Sequence, residues 1–238
     1  MYPITAADDA ALDRPVWSAL ASGHRALAQG GTLARRYPVA MAPFAALAES
    51  TPAAFAALRE LIPGDGQVAL FTTGEVVAPA GFQLTRVGAV HQMVATAVVA
   101  EAADAGAIIP LGAADAPEML RLAELTKPGP FGPRTHELGA FVGIRSGGAL
   151  VAMAGERMRL DGWVEASGIC VHPDHRGHGY ARLLTRAVMQ GIVQRGARAF
   201  LHVFTDNAAA IALYRQLGFE VRQRLLVIRI ARGSAASS

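Results

Sequence analysis

The sequence predicts an α+β protein: a mixed, mainly antiparallel sheet flanked by helices, preceded by a smaller α+β N-terminal domain. Three observations point there. Asp161-Gly162 joins two apolar-rich strands, a strong hairpin signal. Residues 163–204 read as strand, glycine-rich loop, helix and strand, which makes the two strands parallel neighbours with a right-handed crossover. The first hundred residues read as helices followed by a few strands.

In chain order, Leu20, Leu27 and Ala28 place a helical face over Val16 to Ala28. Thr51 as N-cap and Pro52 at the first position begin a helix that runs to Leu61, and Pro63-Gly64 ends it. Gln67 to Thr72 and Gly88 to Ala97 are expected strands, separated by the Pro/Gly stretch at 78–81. A composition shift across 102–106 sets a domain boundary: 1–105 is an N-terminal domain without cofactor motifs, 106–232 a second domain, and 233–238 a disordered tail. The second domain opens at Ile108 with a helix from Ala114 to Leu125. Strands follow at Gly139 to Arg145, Ala149 to Arg159 and Trp163 to Val171. Leu184, Val188 and Ile192 mark one apolar helix stripe, closed by Gly196, before a strand from Arg198 to Phe204. Asp206 or Asn207 caps a helix through Leu217, and Gly218 precedes the last strand, Phe219 to Ile230.

Composition limits the partners. Of 238 residues, 52% are hydrophobic and 17% charged, which excludes disorder across the chain. Cys170 is the only cysteine, so no intramolecular disulfide and no Cys-pair metal site forms, and a cytoplasmic location is expected. The N-terminus carries acid where an export signal needs a basic start, and no apolar run approaches the ~20 residues of a membrane span. Residues 1–105 hold 6 basic and 9 acidic side chains, and 106–238 hold 16 and 10, so the second half faces an anionic partner. Aromatic residues are only 6% of the chain and no basic run is interleaved with them, which disfavours nucleic acid and leaves a phosphate-bearing small molecule.

The loop Arg176-Gly-His-Gly-Tyr-Ala181 leads from a strand into a helix start, where unpaired N–H groups, a positive dipole end and glycines form an anion cradle. The Gly-Lys-Ser/Thr of a P-loop is absent, and Arg182 stands where a dinucleotide fingerprint needs Gly or Ala. Arg176-x-x-Gly179-x-Ala181, after Ile169-Cys-Val171, resembles the coenzyme A pyrophosphate motif of the GNAT N-acetyltransferase superfamily. Asn207-x-x-Ala210-Ile-x-Leu-Tyr214-x-x-x-Gly218-Phe219 is similar to its C-terminal motif. The resemblance covers about residues 107–232. It implies a GNAT-like sheet whose parallel strands splay, with the pantetheine of acetyl-CoA between them against the backbone of Ile169, Cys170 and Val171. Arg176, Gly177, His178, Gly179, Tyr180 and Ala181 would hold the pyrophosphate, with Asn207 and Tyr214 beside the pantetheine arm and no metal. The first half is, by analogy, a degenerate copy of the fold, as in glycine N-acyltransferase-like members.

The implied activity is direct attack of an amine on the thioester of acetyl-CoA. Tyr214, with an ordinary pKa near ~10, is the expected acid for the leaving thiolate. Glu165, on the strand face that Ser167, Ile169 and Val171 would share, sits where histone-modifying relatives carry their carboxylate. Partly buried, it would have the raised pKa of a base, the alternatives being a water chain or a solvated strand carboxylate. The loop Thr126 to Arg134 is expected to wall the acceptor groove or to serve as a linker. The acceptor is a small-molecule or peptide amine, a homodimer being one option for assembly. Transfer of a longer acyl group and a coenzyme-A-binding sensor without turnover are the alternatives.

Other candidates read as structural. The His172, His175, His178 row has only Asp174 as a carboxylate partner for a metal. Cys170 lies in an apolar strand with no histidine suggestively placed. His24 and Arg35-Arg36-Tyr37 read as solvated helix and loop residues.

Overall fold

Pro15 starts a helix and Gly23 stops one, and both act within the expected 16–28 helix. The computed structural model, which describes residues 6–96 and 107–233, gives α1 (Ala6–Asp13), α2 (Pro15–Ala21) and a separate 3₁₀ turn, Arg25–Leu27. A Cβ at Gly23 would lie 2.6 Å from the Arg159 carbonyl oxygen, so the chain turns where only glycine lets it approach that strand. The boundary expected at 105/106 and residues 234–238 of the tail lie outside the described residues.

A small antiparallel sheet follows, β1 (Gln29–Gly30), β2 (Ala34–Arg36) and β3 (Ala45–Leu47), whose strands are too short to show a period. Helix α3 (Pro52–Leu61) has the expected bounds, with Thr51 Oγ1 accepting from the Ala54 N–H at 3.2 Å. Strands β4 (Gln67–Thr72) and β5 (Phe82–Ala95) complete the first region.

The second region contains β6 (Ile109–Leu111), α4 (Ala116–Thr126), β7 (Phe141–Ser146), β8 (Ala149–Leu160), β9 (Trp163–Val171), α5 (Tyr180–Gln194), β10 (Arg198–Phe204), α6 (Ala208–Gln216) and β11 (Phe219–Arg232). Eight strands form one sheet in the order β4-β11-β5-β10-β9-β8-β7-β6. Among the described residues, β9 and β10 pair in parallel, and the other strand pairings of this sheet are antiparallel. Strands β4 and β5 of the first region bond to β10 and β11 of the second, so the sheet is shared. Pro110, which cannot donate to a ladder, sits on edge strand β6.

Strand β10 accompanies β9 only from Arg198↔Trp163 to Phe200↔Glu165, then continues against β5. Beyond Glu165, β9 is paired on the β8 side alone among the described residues. One sheet face packs α5 and α6, through Leu184, Val188, Met189 and Ile192 against Ala152, Val164 and Leu201. Burying each such aliphatic side chain contributes roughly 1.5–3 kcal/mol. The opposite face packs α2 through Leu20 against Leu160 and Trp163, and α4 through Met119 and Leu122 against Met153 and Cys170. Among the described residues no helix is long and apolar enough to cross a membrane.

Candidate active site

Where β9 hands over to α5, a glycine loop leads into a helix start. Gly177 and Gly179 have φ of +81° and +76°, the left-handed region that glycine enters at no steric cost, and Gly179 is the N-cap of the 15-residue α5. A Cβ at either would meet nothing within 4 Å, so the loop is open outward. Arg176 is exposed beside it, and His178 stacks on Tyr180 with centroids 5.5 Å apart. His178 Nδ1 lies 3.0 Å from the Arg176 carbonyl oxygen, which makes it the donor and ties the ring to its own loop. These residues fit a diphosphate: backbone N–H groups at a helix start, glycines without obstruction, and one guanidinium.

Tyr214 projects from α6 into the same apolar cluster as Tyr180, Ile169 and Val171. It is 9% exposed, and burial pushes its phenol up to about 12, above the ordinary value expected from sequence. Asn207 caps α6, its Oδ1 accepting from the Ala210 N–H at 3.2 Å, so its amide nitrogen stays available.

The strand face expected for Glu165 is corrected by a bulge. Between Met153↔Cys170 and Gly155↔Ser167 the β9 strand carries one extra residue, with Gly168 at φ +64°. An extra residue inverts the alternation of side chains. Ile169 and Val171 therefore join Val164 and Ala166 against α5, whereas Cys170 turns to α4. Glu165 lies among the groups of the opposite face.

Its expected raised pKa is corrected as well. Glu165 is fully buried, which alone would raise its pKa, but Arg157 and His202 outweigh burial and hold the carboxyl at about 2. Arg157 donates from Nε to Oε2 at 2.9 Å and from Nη2 to Oε1 at 2.5 Å, and His202 Nδ1 lies 2.7 Å from Oε1. The His202 ring stacks on Phe71 at 4.7 Å. This carboxylate is neither solvated nor poised to take a proton.

His24 and Tyr37 join the same interior, not solvent as expected. His24 Nε2 lies 3.0 Å from the Leu138 carbonyl oxygen, which can only accept, so Nε2 carries the proton and Nδ1 accepts from the Tyr37 hydroxyl at 2.9 Å. Burial lowers His24 to about 4, against the raising effect of the Leu138 bond. Cys170 is inert in character: burial lifts its thiol to about 11.

The Pro/Gly loop after α4 does form a wall. Pro128, Pro130, Phe131, Phe141, Ser167 and Gly168 surround a small pocket of about 10 Å³, room for one water molecule. It lies where β9 has parted from β10. A wider cleft of about 270 Å³ continues past Phe131 to Tyr37, Val39 and Val68. The N-terminal region pins this wall: Arg134 N–H donates to the Ala40 carbonyl at 2.9 Å and Thr135 Oγ1 to the Met41 carbonyl at 2.5 Å.

Known proteins are similar to this chain in sequence and fold. A crystal structure from Novosphingobium aromaticivorans DSM 12444, assigned to acetyltransferases of the GNAT family, is 40% identical. It matches 94% of this chain and 99% of its own, with a TM-score of 0.88. The chain belongs to the GNAT family. The family model described as FR47-like protein matches residues 141–227, from β7 into β11. The N-alpha-acetyltransferase RimI of Mycobacterium tuberculosis is 42% identical over 91 residues, 37% of this chain and 54% of that protein. A mycothiol acetyltransferase of Saccharomonospora viridis is 49% identical over 51 residues, 21% of this chain and 17% of that protein. The chain thus spans about half the length of one curated relative and under a fifth of the other. A GCN5-related N-acetyltransferase from Kribbella flavida, 20% identical with a TM-score of 0.63 over 92% of this chain and 95% of its own, shares the fold. The glycine N-acyltransferase-like branch is not among these names.

Within this GNAT-family protein, Arg157 and His202 are the partners of Glu165 that sequence reading missed. An arginine and a histidine inside apolar strands were the available signal.

Proposed function

We propose that the protein transfers the acetyl group of acetyl-CoA to a primary amine by direct attack. The observation that carries this reading is the parting of β9 from β10 next to an open glycine loop at the start of α5, with Tyr214 in the adjoining apolar cluster. Acetyl-CoA brings the activated acyl carbon and the thiolate leaving group. The chain's residues divide the rest of the work. Arg176 and the N–H groups of Gly177 to Ala181 hold the diphosphate. Backbone groups of Ile169 to Val171 facing away from β8 have no strand partner among the described residues and would receive the pantetheine arm, with Asn207 beside it. Tyr214, raised to about 12, keeps its proton at neutral pH. Its donation is drawn by charge building on a sulfur within hydrogen-bond distance.

Glu165 is not the base in this reading, because its carboxylate is committed to Arg157 and His202; the amine's proton leaves through water. Relatives named for N-alpha and mycothiol acetylation support an amine acceptor, and the loop 126–134 bounds the groove that takes it.

The test is a calorimetric titration with acetyl-CoA, followed by turnover on an amine panel. Arg176→Ala should weaken acetyl-CoA binding about tenfold. Tyr214→Phe should lower kcat about 10²-fold with acetyl-CoA affinity unchanged. Absence of acetyl-CoA binding by the wild-type protein would remove this reading. Binding without transfer to any amine would favour a coenzyme-A-binding sensor.

A further inference from the structure

A buried guanidinium normally satisfies its donors, because an unpaired one keeps the full cost of desolvation. Arg157 is 9% exposed, yet only one edge of its fork is used. Nε and Nη2 bond the two oxygens of Glu165, and Phe44 lies beneath the plane with its centroid 4.8 Å from Cζ. Nη1 has no hydrogen-bond partner among the described residues. It lies toward the acceptor wall, 4.0 Å from where a Cβ at Gly129 would stand. Arg157 is also the one charged residue lining the small pocket beside Ser167, Gly168, Phe131 and Phe141.

We infer that this pocket is an anion subsite for the acceptor, in which Arg157 Nη1 receives the carboxylate of an amine that carries one, a free amino acid. The inference rests on the N-acetyltransferase reading above and narrows its acceptor. Three features support it. Glu165 locks the guanidinium in place, so Nη1 loses little rotamer freedom when it binds. The aromatic and proline wall leaves room for about one water molecule, and in so confined a place a charge-assisted hydrogen bond is stronger than in solvent. The sign of the charge selects as well: a polyamine brings only cations toward Arg157, whereas an amino acid offsets its ammonium with a carboxylate. A pocket with room for about one water molecule suits a carboxylate oxygen, the rest of the acceptor staying in the wider cleft that shares Pro130 and Phe131.

The test uses matched pairs. A panel of free L-amino acids and their primary amides is titrated against the protein saturated with coenzyme A, and the same panel is assayed for acetylation. At least one free acid should bind tenfold or more tighter than its own amide. Arg157→Lys should bring that ratio to within about threefold of unity with coenzyme A affinity unchanged, since a lysine ammonium cannot span Glu165 and the pocket together. Equal binding of acids and amides by the wild-type protein, or no binding of any free acid, overturns the subsite whether or not the variant folds. A preserved ratio in a folded Arg157→Lys protein overturns Arg157 as its donor. A binding preference without acetyl transfer keeps the subsite and removes the acetyltransferase reading; transfer without preference does the reverse.

Discussion

On the α5 side of the sheet, the site is built from neighbours in sequence: residues 169–181 run from strand through glycine loop to helix, and Asn207 and Tyr214 share one helix unit. On the other side, Glu165 is held by Arg157 from β8 and His202 from β10, while His24 and Tyr37 reach residue 138 from more than a hundred positions away. The loop of the first side is exposed and presents backbone N–H groups at a helix start. The second is buried and works with paired charges. A cofactor cradle must stay open to a phosphate, so it uses glycine and helix ends, which short motifs encode. Buried charges must satisfy one another before any ligand arrives, so their partners come from wherever the fold supplies them.

The largest expected effect tests whether the two sides are independent. Glu165→Gln strands the buried Arg157 charge and should cost about 3–5 kcal/mol in urea unfolding, while acetyl-CoA affinity changes less than twofold. A loss below about 1 kcal/mol would break the contrast, as would a parallel fall in affinity. Acid sharpens it next. His24 titrates near 6.5 when unfolded and at about 4 when folded, so between those values the unfolded chain binds more protons. Stability present above pH 6.5 is then lost as pH falls toward 4, by up to about 3 kcal/mol. The difference in unfolding free energy between wild type and His24→Gln, followed across that window, isolates the effect; no pH dependence in that difference would contradict a neutral buried His24. Glu165 adds a further loss that begins near pH 4.5 and is complete only below about 2. The smallest effect belongs to a local device remote from both sides. Thr51→Ala removes the α3 cap and should cost about 1 kcal/mol without altering turnover, as melting and a standard assay would register.

Legibility followed the same division. The bounds of β4, β9, β10 and α3 match the sequence reading, because a period of two or a capped apolar stripe reports itself over a handful of residues. The loop at 176–181 and the α6 cap were equally readable. What misled was non-local. One inserted residue at Gly168 turned Ile169 and Val171 away from the face of Glu165, and counting by twos has no means of seeing a bulge. His24, Tyr37 and Arg36 looked solvated because nothing adjacent in sequence buries them.

The sequence by itself determined the element order from β7 to β11, the parallel step, the glycine loop at the start of α5 and the family, since each rests on spacing within one or two turns of chain. Only the tertiary structure decided that Glu165 is paired with Arg157 and His202, that Ala40 and Met41 hold the end of the loop after α4, and that Arg157 Nη1 has no hydrogen-bond partner among the described residues. A side chain's charge state and its unused donors depend on which groups surround it after packing, and those groups are brought together by the sheet, not by the order of the chain.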